Sequence, residues 1–210
     1  MQIISVINQK GGVGKTTTVI NLAAGLSMKG KKILVIDLDP QGNATTGLGL
    51  SNTATSDDTI YSVLNGDRKI SEVIHQTKFE NLSLITSNVD LSGLEVETVG
   101  DSRRVFKLKD ELTSILNDSR VSYDYILIDC PPSLSLLTIM ALVASRDLLV
   151  PLQTEFFALE GLTQLMKTIE RIKSNLNPSL EIKGILLTMF DKRNKLSNQV
   201  EFEARNYFKE

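Results

Sequence analysis

The sequence predicts a doubly wound α/β fold, in which helices cover both faces of a mostly parallel sheet. Short apolar runs alternate along the chain with segments of helical periodicity, which is the order of βαβ units. The apolar runs are rich in Ile, Leu and Val and contain few polar residues, as expected for strands buried on both faces. With 210 residues, of which 41% are hydrophobic and 23% charged, the chain has the composition of a globular protein with a substantial core.

The individual elements follow from these patterns. Strands are expected at residues 3–7, 32–36, 82–85, 125–128, 148–150 and 182–188, and helices at residues 16–28, 59–64, 103–116, 135–144, 159–174 and 197–208. Gly30 stands just past the first predicted helix, where a left-handed residue commonly ends a helix. Residues 43–58 are rich in Gly, Thr, Ser and Asn and are expected to form a mobile loop. We find no repeat, low-complexity tract or linker, so residues 1–210 are expected to form one domain.

A glycine-rich segment between the first predicted strand and helix is typical of a phosphate-binding loop. Residues 9–17 read Q-K-G-G-V-G-K-T-T. Glycines let backbone N–H groups turn toward an anion, and the start of the following helix favours negative charge. A bare glycine turn would not explain the Lys-Thr pair at the helix start or the second lysine before the glycines. The expected nucleotide-binding residues are Lys10, Gly11, Gly12, Val13, Gly14, Lys15, Thr16 and Thr17.

Acidic residues follow two further predicted strands. Asp37 and Asp39 follow the second strand, and Asp129 follows the strand at residues 125–128. A single aspartate at a strand end is more often a turn former or a helix cap. In open parallel sheets, however, ligands bind beyond the carboxyl ends of the strands, so these acids are expected beside the phosphate loop. An apolar run that ends in Asp is a Walker B pattern, whose carboxylate holds Mg²⁺ or its waters.

Composition excludes several classes of protein. The single cysteine, Cys130, excludes an internal disulfide and any metal site that needs two cysteines from one chain. The N-terminus carries no basic signal-peptide region, and no apolar run approaches the ~18 residues of a membrane span. A cytoplasmic protein without membrane association is therefore expected. The net charge of −2 is not that of a globally basic nucleic-acid-binding protein, so DNA binding would require a local patch.

Together these motifs resemble the ParA/Soj family of deviant Walker A partition ATPases, of the chromosomal ParA type and related to MinD. The resemblance covers essentially the whole chain, with matching segments at residues 10–17, 37–45 (D-L-D-P-Q-G-N-A-T), 129–134 (D-C-P-P-S-L), 150–165 and 187–193. It implies a P-loop NTPase of the deviant Walker A class with ATP and Mg²⁺ as cofactors. It also implies slow hydrolysis of ATP to ADP and phosphate, which a partner protein accelerates.

The resemblance also implies roles for single residues. Lys15 corresponds to the Walker A lysine on the phosphates, and Lys10 to a signature lysine that crosses an ATP-bound dimer to the partner's nucleotide. Asp39 corresponds to the acid that positions the attacking water, a credible task because an aspartate with a pKa near ~3.9 is a poor base. The expected catalytic residues are thus Lys10, Lys15 and Asp39, and the expected Mg²⁺ site consists of Thr16, Asp37 and Asp129.

The expected function is partition of a chromosome or plasmid. In this hypothesis ATP drives formation of a homodimer, the dimer binds DNA of the nucleoid without sequence preference, and a ParB-type partner stimulates hydrolysis. The alternative is a MinD-like or other cargo-positioning ATPase, but Pro-Gln-Gly-Asn at residues 40–43 favours partition. A metabolic kinase or synthetase is a weaker third reading. An iron–sulfur reductase is not expected, because it would need two cysteines per subunit and the sequence contains only Cys130.

Three features depart from the family pattern. The sequence ends at Glu210, where family members continue through a Pro-Arg-Asn segment and a last helix, so the domain is expected to lack that C-terminal segment and to bind DNA more weakly than a form that has it. Met140 stands where relatives often have Asn. No extension precedes the first strand, so sequence-specific repression of an operon is not expected.

Overall fold

The computed structural model describes residues 1–50, 56–117 and 122–208. Within them a single sheet is built from seven strands: β1 (Gln2–Val6), β2 (Ile33–Asp37), β3 (Ile74–Gln76), β4 (Leu82–Ile85), β5 (Tyr125–Asp129), β6 (Asp147–Gln153) and β7 (Glu181–Thr188). The strand order is β3-β4-β2-β5-β1-β6-β7. Neighbouring strands are parallel except for β3 and β4, which are antiparallel. The mostly parallel sheet predicted from the sequence is confirmed.

Helices cover both faces of this sheet. They are α1 (Lys15–Ser27), α2 (Asn43–Gly47), α3 (Ile60–Asn65), α4 (Leu94–Glu97), α5 (Lys107–Asn117), α6 (Leu136–Ala144), α7 (Ala158–Asn175) and α8 (Lys195–Tyr207). All five residues of β2 are buried, and they alternate between the two faces. Ile33 and Val35 pack in the cluster that contains α1, whereas Leu34 and Ile36 pack in the cluster that contains α3, α5, α6 and α7. Burial on both faces explains why the strand sequence is continuously apolar.

Three short elements differ from the sequence-based expectation. The sequence predicted a mobile loop at residues 43–58. This prediction was wrong for residues 43–47, which form α2, and residues 51–55 lie outside the described residues. The edge strand β3 and the one-turn helix α4 were not predicted. Each of the three elements spans five residues or fewer, which is too short for a helix or strand to be recognised from the spacing of its apolar residues. Contacts with residues distant in the sequence stabilise these elements instead. For α2 that contact is the Asp37 carboxylate, which accepts hydrogen bonds from the backbone and side chain of Thr45.

The ends of some helices and strands differ from the predicted ones. The helix predicted from residue 103 begins at Lys107, because Arg104–Phe106 form a turn of 3₁₀ helix. Strand β6 extends through Pro151, well beyond the predicted 148–150. A proline cannot donate to a neighbouring strand, but the last β1–β6 pair is Val6 with Leu149, so Pro151 lies past that ladder. Gly30 has a φ of +76° after α1, as predicted. None of the helices in the described parts of the chain is long and apolar enough to cross a lipid bilayer.

Two leucines of α5 provide a test of the packing. Leu112 is buried in the core, whereas Leu116, one turn later, is 52% exposed. We expect Leu112→Ala to lower the free energy of unfolding by about 2–5 kcal/mol, since it removes buried methyl groups and leaves a cavity. Leu116→Ala is the matched control in the same helix and should change it by less than about 0.5 kcal/mol. Urea unfolding followed by circular dichroism measures both, and equal losses would contradict this assignment of the two faces.

Candidate nucleotide-binding site

The glycine-rich loop leaves β1 and ends at the first residue of α1. Gly12 and Gly14 have φ angles of +75° and +90°, a left-handed region that residues with a Cβ rarely adopt. Gly14 is the residue immediately before α1, and its carbonyl accepts hydrogen bonds from both the backbone and the hydroxyl of Thr18. The glycine spacing therefore meets a conformational requirement at the point where the loop turns into the helix.

Two hydrogen bonds tie this loop to β6 and β7, and a third closes a turn within it. The Asn8 side chain accepts a hydrogen bond from the Lys10 backbone N–H at 3.0 Å and donates one to the Pro151 carbonyl of β6 at 2.7 Å. On the other side of the loop, the Thr188 hydroxyl at the end of β7 donates to the Val13 carbonyl at 2.9 Å. The backbone of the loop is thus held at both ends by strands that occur late in the sequence.

Lys15 is buried at the beginning of α1. Its ammonium donates a hydrogen bond to the Lys10 carbonyl at 3.0 Å, and the residue is only 7% exposed. Burial lowers the pKa of Lys15, although the negative charge of Asp129 opposes this effect. A partly dehydrated ammonium beside a glycine loop interacts strongly with an anion, because little water screens it.

The Asp37 carboxylate is buried and fully engaged. One oxygen accepts hydrogen bonds from the Thr45 backbone N–H and hydroxyl, each at 2.7 Å, and the other accepts one from the Asp39 N–H at 3.2 Å. Burial nevertheless raises the pKa of Asp37 to about 6, despite these donors. The Thr45 hydroxyl also accepts a hydrogen bond from the Ser87 N–H at 3.0 Å, so it links the end of β2 to the residues after β4.

Asp129 is equally buried but is much less well supplied with hydrogen-bond donors. Its Cα pairs with that of Asp37 across the β2–β5 ladder, and neither of its carboxylate oxygens has a hydrogen-bond partner in the described residues. Burial raises the pKa of Asp129 to about 7, and the neighbouring charge of Asp37 adds to the rise, while the nearby Thr16 hydroxyl and the Lys15 ammonium oppose it. Burial likewise raises the pKa of the adjacent Cys130 thiol, so this cysteine is an unreactive core residue.

A cleft of about 440 Å³ lies above these strand ends. Asp39 stands at its wall, where one carboxylate oxygen accepts a hydrogen bond from the Gln41 N–H at 3.0 Å. Of the residues predicted from the sequence, those that line the cleft are Gly11, Gly12, Gly14, Lys15, Thr16, Thr17 and Asp39. Val13 is buried in the core and contributes its backbone instead. Asp37 and Asp129 are not among the lining residues, and they are buried at the ends of β2 and β5.

Lys10 is also absent from the lining of the cleft. Its ammonium forms an ion pair with the carboxylate of Glu155, on the segment after β6. Glu155 was not predicted from the sequence, because nothing in its local pattern marks it. Asn8 could have been found, since an Asn two residues before a loop N–H commonly closes a turn of this kind.

The residues present fit a magnesium-bound nucleotide. Among the described residues, no three His, Cys, Asp or Glu side chains are grouped closely enough to hold a metal by themselves. Mg²⁺ does not need such a group, because it commonly takes one or two protein ligands and completes its shell with phosphate and water. The unpartnered oxygens of Asp129 and the buried ammonium of Lys15 are the polar groups that such a ligand would satisfy.

The parallel sheet, the glycine loop between β1 and α1, and the acids at the ends of β2 and β5 define a P-loop nucleotide-binding protein of the deviant Walker A class. A family model described as an AAA domain matches residues 1–182. The chromosome partitioning protein ParA of Caulobacter vibrioides is 49% identical over 208 residues, covering 99% of this chain and 77% of that protein. The sporulation initiation inhibitor protein Soj of Bacillus subtilis is 46% identical over 209 residues, covering 100% of this chain and 81% of that protein. The chain belongs to the ParA/Soj family.

Solved structures agree with this assignment. Cobyrinic acid a,c-diamide synthase from Mycobacterium smegmatis, determined with bound ADP and magnesium, superposes with a TM-score of 0.90 at 37% identity, covering 98% of this chain and 82% of that chain. A plasmid partition protein from Borrelia burgdorferi has a TM-score of 0.82 at 30% identity, covering 96% of this chain and 83% of that chain. The predicted fold class and family are therefore confirmed.

The buried carboxyls predict a pH dependence of stability in the nucleotide-free chain. Folding raises the pKa of Asp129 from 3.8 to about 7, so the folded state binds this proton more tightly, and the free energy of unfolding should fall as the pH rises through that interval. Asp129→Asn should therefore raise the free energy of unfolding on the order of 2 kcal/mol at about pH 8, with little effect near pH 4. Urea unfolding at both pH values measures this.

The exposed Asp110→Asn is the control for a change of net charge and should alter neither value appreciably. Destabilisation by Asp129→Asn at about pH 8 would contradict the buried, unpartnered state of this carboxyl.

Proposed function

We propose that this chain is an ATPase for chromosome or plasmid partition that binds Mg-ATP in the cleft above β1, β2 and β5. The observation that carries the proposal is the convergence of the glycine loop, the buried ammonium of Lys15 and the carboxylate of Asp39 on one cleft. The identity of nearly half of the sequence to chromosome-partitioning relatives supports the biological role.

In this proposal the nucleotide is held mainly by charge and backbone. The N–H groups of residues 11–17 surround the phosphates, and Lys15 neutralises them from a position where little water competes. The Thr16 hydroxyl and Asp129 hold the Mg²⁺ ion or its waters, while Asp37 supports Asp39 and α2 through the hydrogen bonds that it accepts. Bound Mg-ATP supplies the phosphoryl group for hydrolysis and the metal charge that offsets its oxygens.

Two residues act on the reaction itself. Asp39 faces the cleft and holds the attacking water, since its carboxylate is fixed by the Gln41 N–H and keeps one oxygen for a further contact. Lys10 acts across a homodimer that ATP promotes, where it contributes a positive charge to the partner's nucleotide in the manner of an arginine finger. Turnover is slow in the isolated chain and is stimulated by a ParB-type protein.

The DNA interaction is proposed to be non-specific and to require the ATP-bound dimer. The chain has 23 basic and 25 acidic residues, so one subunit offers little overall attraction to phosphates. Pairing two subunits doubles any local basic patch and makes binding conditional on ATP. A positioning ATPase that acts on a different cargo is the alternative, and the DNA experiment below separates the two.

Replacement of the buried lysine tests nucleotide binding. Lys15→Ala removes the charge closest to the phosphates, so we expect Mg-ATP affinity to fall at least about a hundredfold, the usual effect of deleting one partner of a buried charge pair. Isothermal titration calorimetry measures the change. Lys109→Ala, at an exposed position of α5, is the matched control and should bind as the unmodified chain does. Retained affinity in Lys15→Ala would refute the assignment of the phosphate loop.

DNA binding tests the partition role. Asp39→Ala should bind Mg-ATP without hydrolysing it, so the protein should accumulate as a dimer and retain duplex DNA of random sequence in a filter-binding assay. If about four phosphates are contacted, affinity should fall about a hundredfold between about 50 and 200 mM salt. The same variant with ADP is the control and should bind weakly. Equal binding with either nucleotide, or a preference for one sequence, would argue for a different cargo.

A further inference from the structure

The contact between Lys10 and Glu155 joins the entrance of the phosphate loop to the segment after β6. The two residues are 145 positions apart, and the ammonium and carboxylate form a direct ion pair. The side chain of Lys10 is 47% exposed and that of Glu155 is 30% exposed. In this arrangement Lys10 is directed to its own subunit and does not line the cleft.

The backbone on the Lys10 side of the ion pair is firmly held. The Lys10 N–H donates to the Asn8 side chain at 3.0 Å, and the Lys10 carbonyl accepts from Lys15 at 3.0 Å. Asn8 is itself hydrogen-bonded to the Pro151 carbonyl, four residues before Glu155. Because backbone groups on either side of the Lys10 Cα are engaged, a change of partner by the ammonium would require only rotation of the side chain.

The backbone on the Glu155 side is held as well. The Glu155 N–H donates to the Gln153 carbonyl at 2.9 Å, and its carbonyl accepts from the Ala158 N–H at 3.1 Å, at the first residue of α7. The preceding Thr154 hydroxyl is hydrogen-bonded to the Ser197 hydroxyl of α8 at 3.0 Å. The backbone of Glu155 is therefore held in place, and its carboxylate contacts Lys10.

We propose that Glu155 is a positioning residue that retains Lys10 within its own subunit and so opposes the ATP-dependent dimer. The inference rests on the proposed function, in which Lys10 must reach the partner's nucleotide. An ammonium that is paired with a carboxylate has to give up that contact before it can bind an anion elsewhere. Each subunit therefore loses one ion pair when the dimer forms, and ATP must supply more favourable contacts than these two pairs.

The size of this effect follows from the exposure of the pair. A solvent-exposed ion pair typically shifts an equilibrium by about two- to fivefold. Two pairs are broken in each dimer, so their loss should raise the dimerisation constant by about four- to twenty-five-fold. Such a restraint keeps nucleotide-free subunits apart without preventing assembly once ATP is bound.

Glu155→Gln is the direct test, because it keeps the size of the side chain and removes its charge. The first measurement is acylation of Lys10 by an N-hydroxysuccinimide ester in the nucleotide-free chain, followed by mass spectrometry with Lys192 as internal reference. We expect Lys10 to react about two- to fivefold faster in Glu155→Gln, since the ion pair no longer masks its amine. Asp110→Asn is the matched control, because it breaks the exposed Arg103–Asp110 ion pair and should leave Lys10 reactivity unchanged.

The second measurement is the dimerisation constant by sedimentation velocity with Mg²⁺ and a non-hydrolysable ATP analogue. We expect the constant to rise in Glu155→Gln, to be intermediate in Glu155→Asp, which is one methylene shorter, and to be unchanged in Asp110→Asn. Unchanged Lys10 reactivity, or faster reactivity with an equal or smaller dimerisation constant, would overturn the inference. If no variant dimerises with the analogue, the proposed dimer itself fails, while the acylation result still decides whether Glu155 holds Lys10.

Discussion

The parallel pairing of β1, β5 and β2 is the constraint on which the rest of the molecule depends. Its register places Val6 beside Asp129 and Asp129 beside Asp37, so three strand ends form one row. Parallel neighbours cannot be joined by tight turns, and the crossovers between them carry the helices that bury both faces of the sheet. One pattern of hydrogen bonds thus produces the two-sided core and brings the loop and the acids to the same edge.

The same row contains charged groups whose burial is energetically unfavourable. The Asp37 carboxylate is compensated by three hydrogen-bond donors, whereas among the described residues Asp129 beside it has only the weaker help of the nearby Thr16 hydroxyl and Lys15 ammonium. Lys15 loses hydration at the same edge. Groups of this kind are expensive to bury, and the two apolar clusters on either face of the sheet offset the cost. These unfavourably buried charged groups are among the residues proposed to bind the nucleotide, as is common in functional sites.

What the sequence could reveal was limited by distance along the chain. Continuous apolar runs identified six of the strands, and the glycine spacing identified the turn at Gly12 and Gly14, because these signals are local. The helix at residues 43–47 depends on Asp37, and the position of Lys10 depends on Glu155. Each of these partners is chosen by the folded sheet, so no pattern around Thr45 or Lys10 could have indicated it. Likewise, the sequence placed Asp37 and Asp129 near each other but could not show that Asp37 is the better supplied with hydrogen-bond donors.

The anchors of the phosphate loop have a consequence for how the chain matures. Asn8 is held by Pro151, 143 residues later, and Val13 by Thr188, 175 residues later. A ribosome that adds about 5–20 residues per second needs roughly 10–35 s to travel from the loop to its last anchor. The motif therefore leaves the ribosome well before its anchors and acquires its shape only after they have been made. A nascent chain that already displays all the glycines lacks the strands that hold them, so competence for nucleotide arises only after β7 has been synthesised.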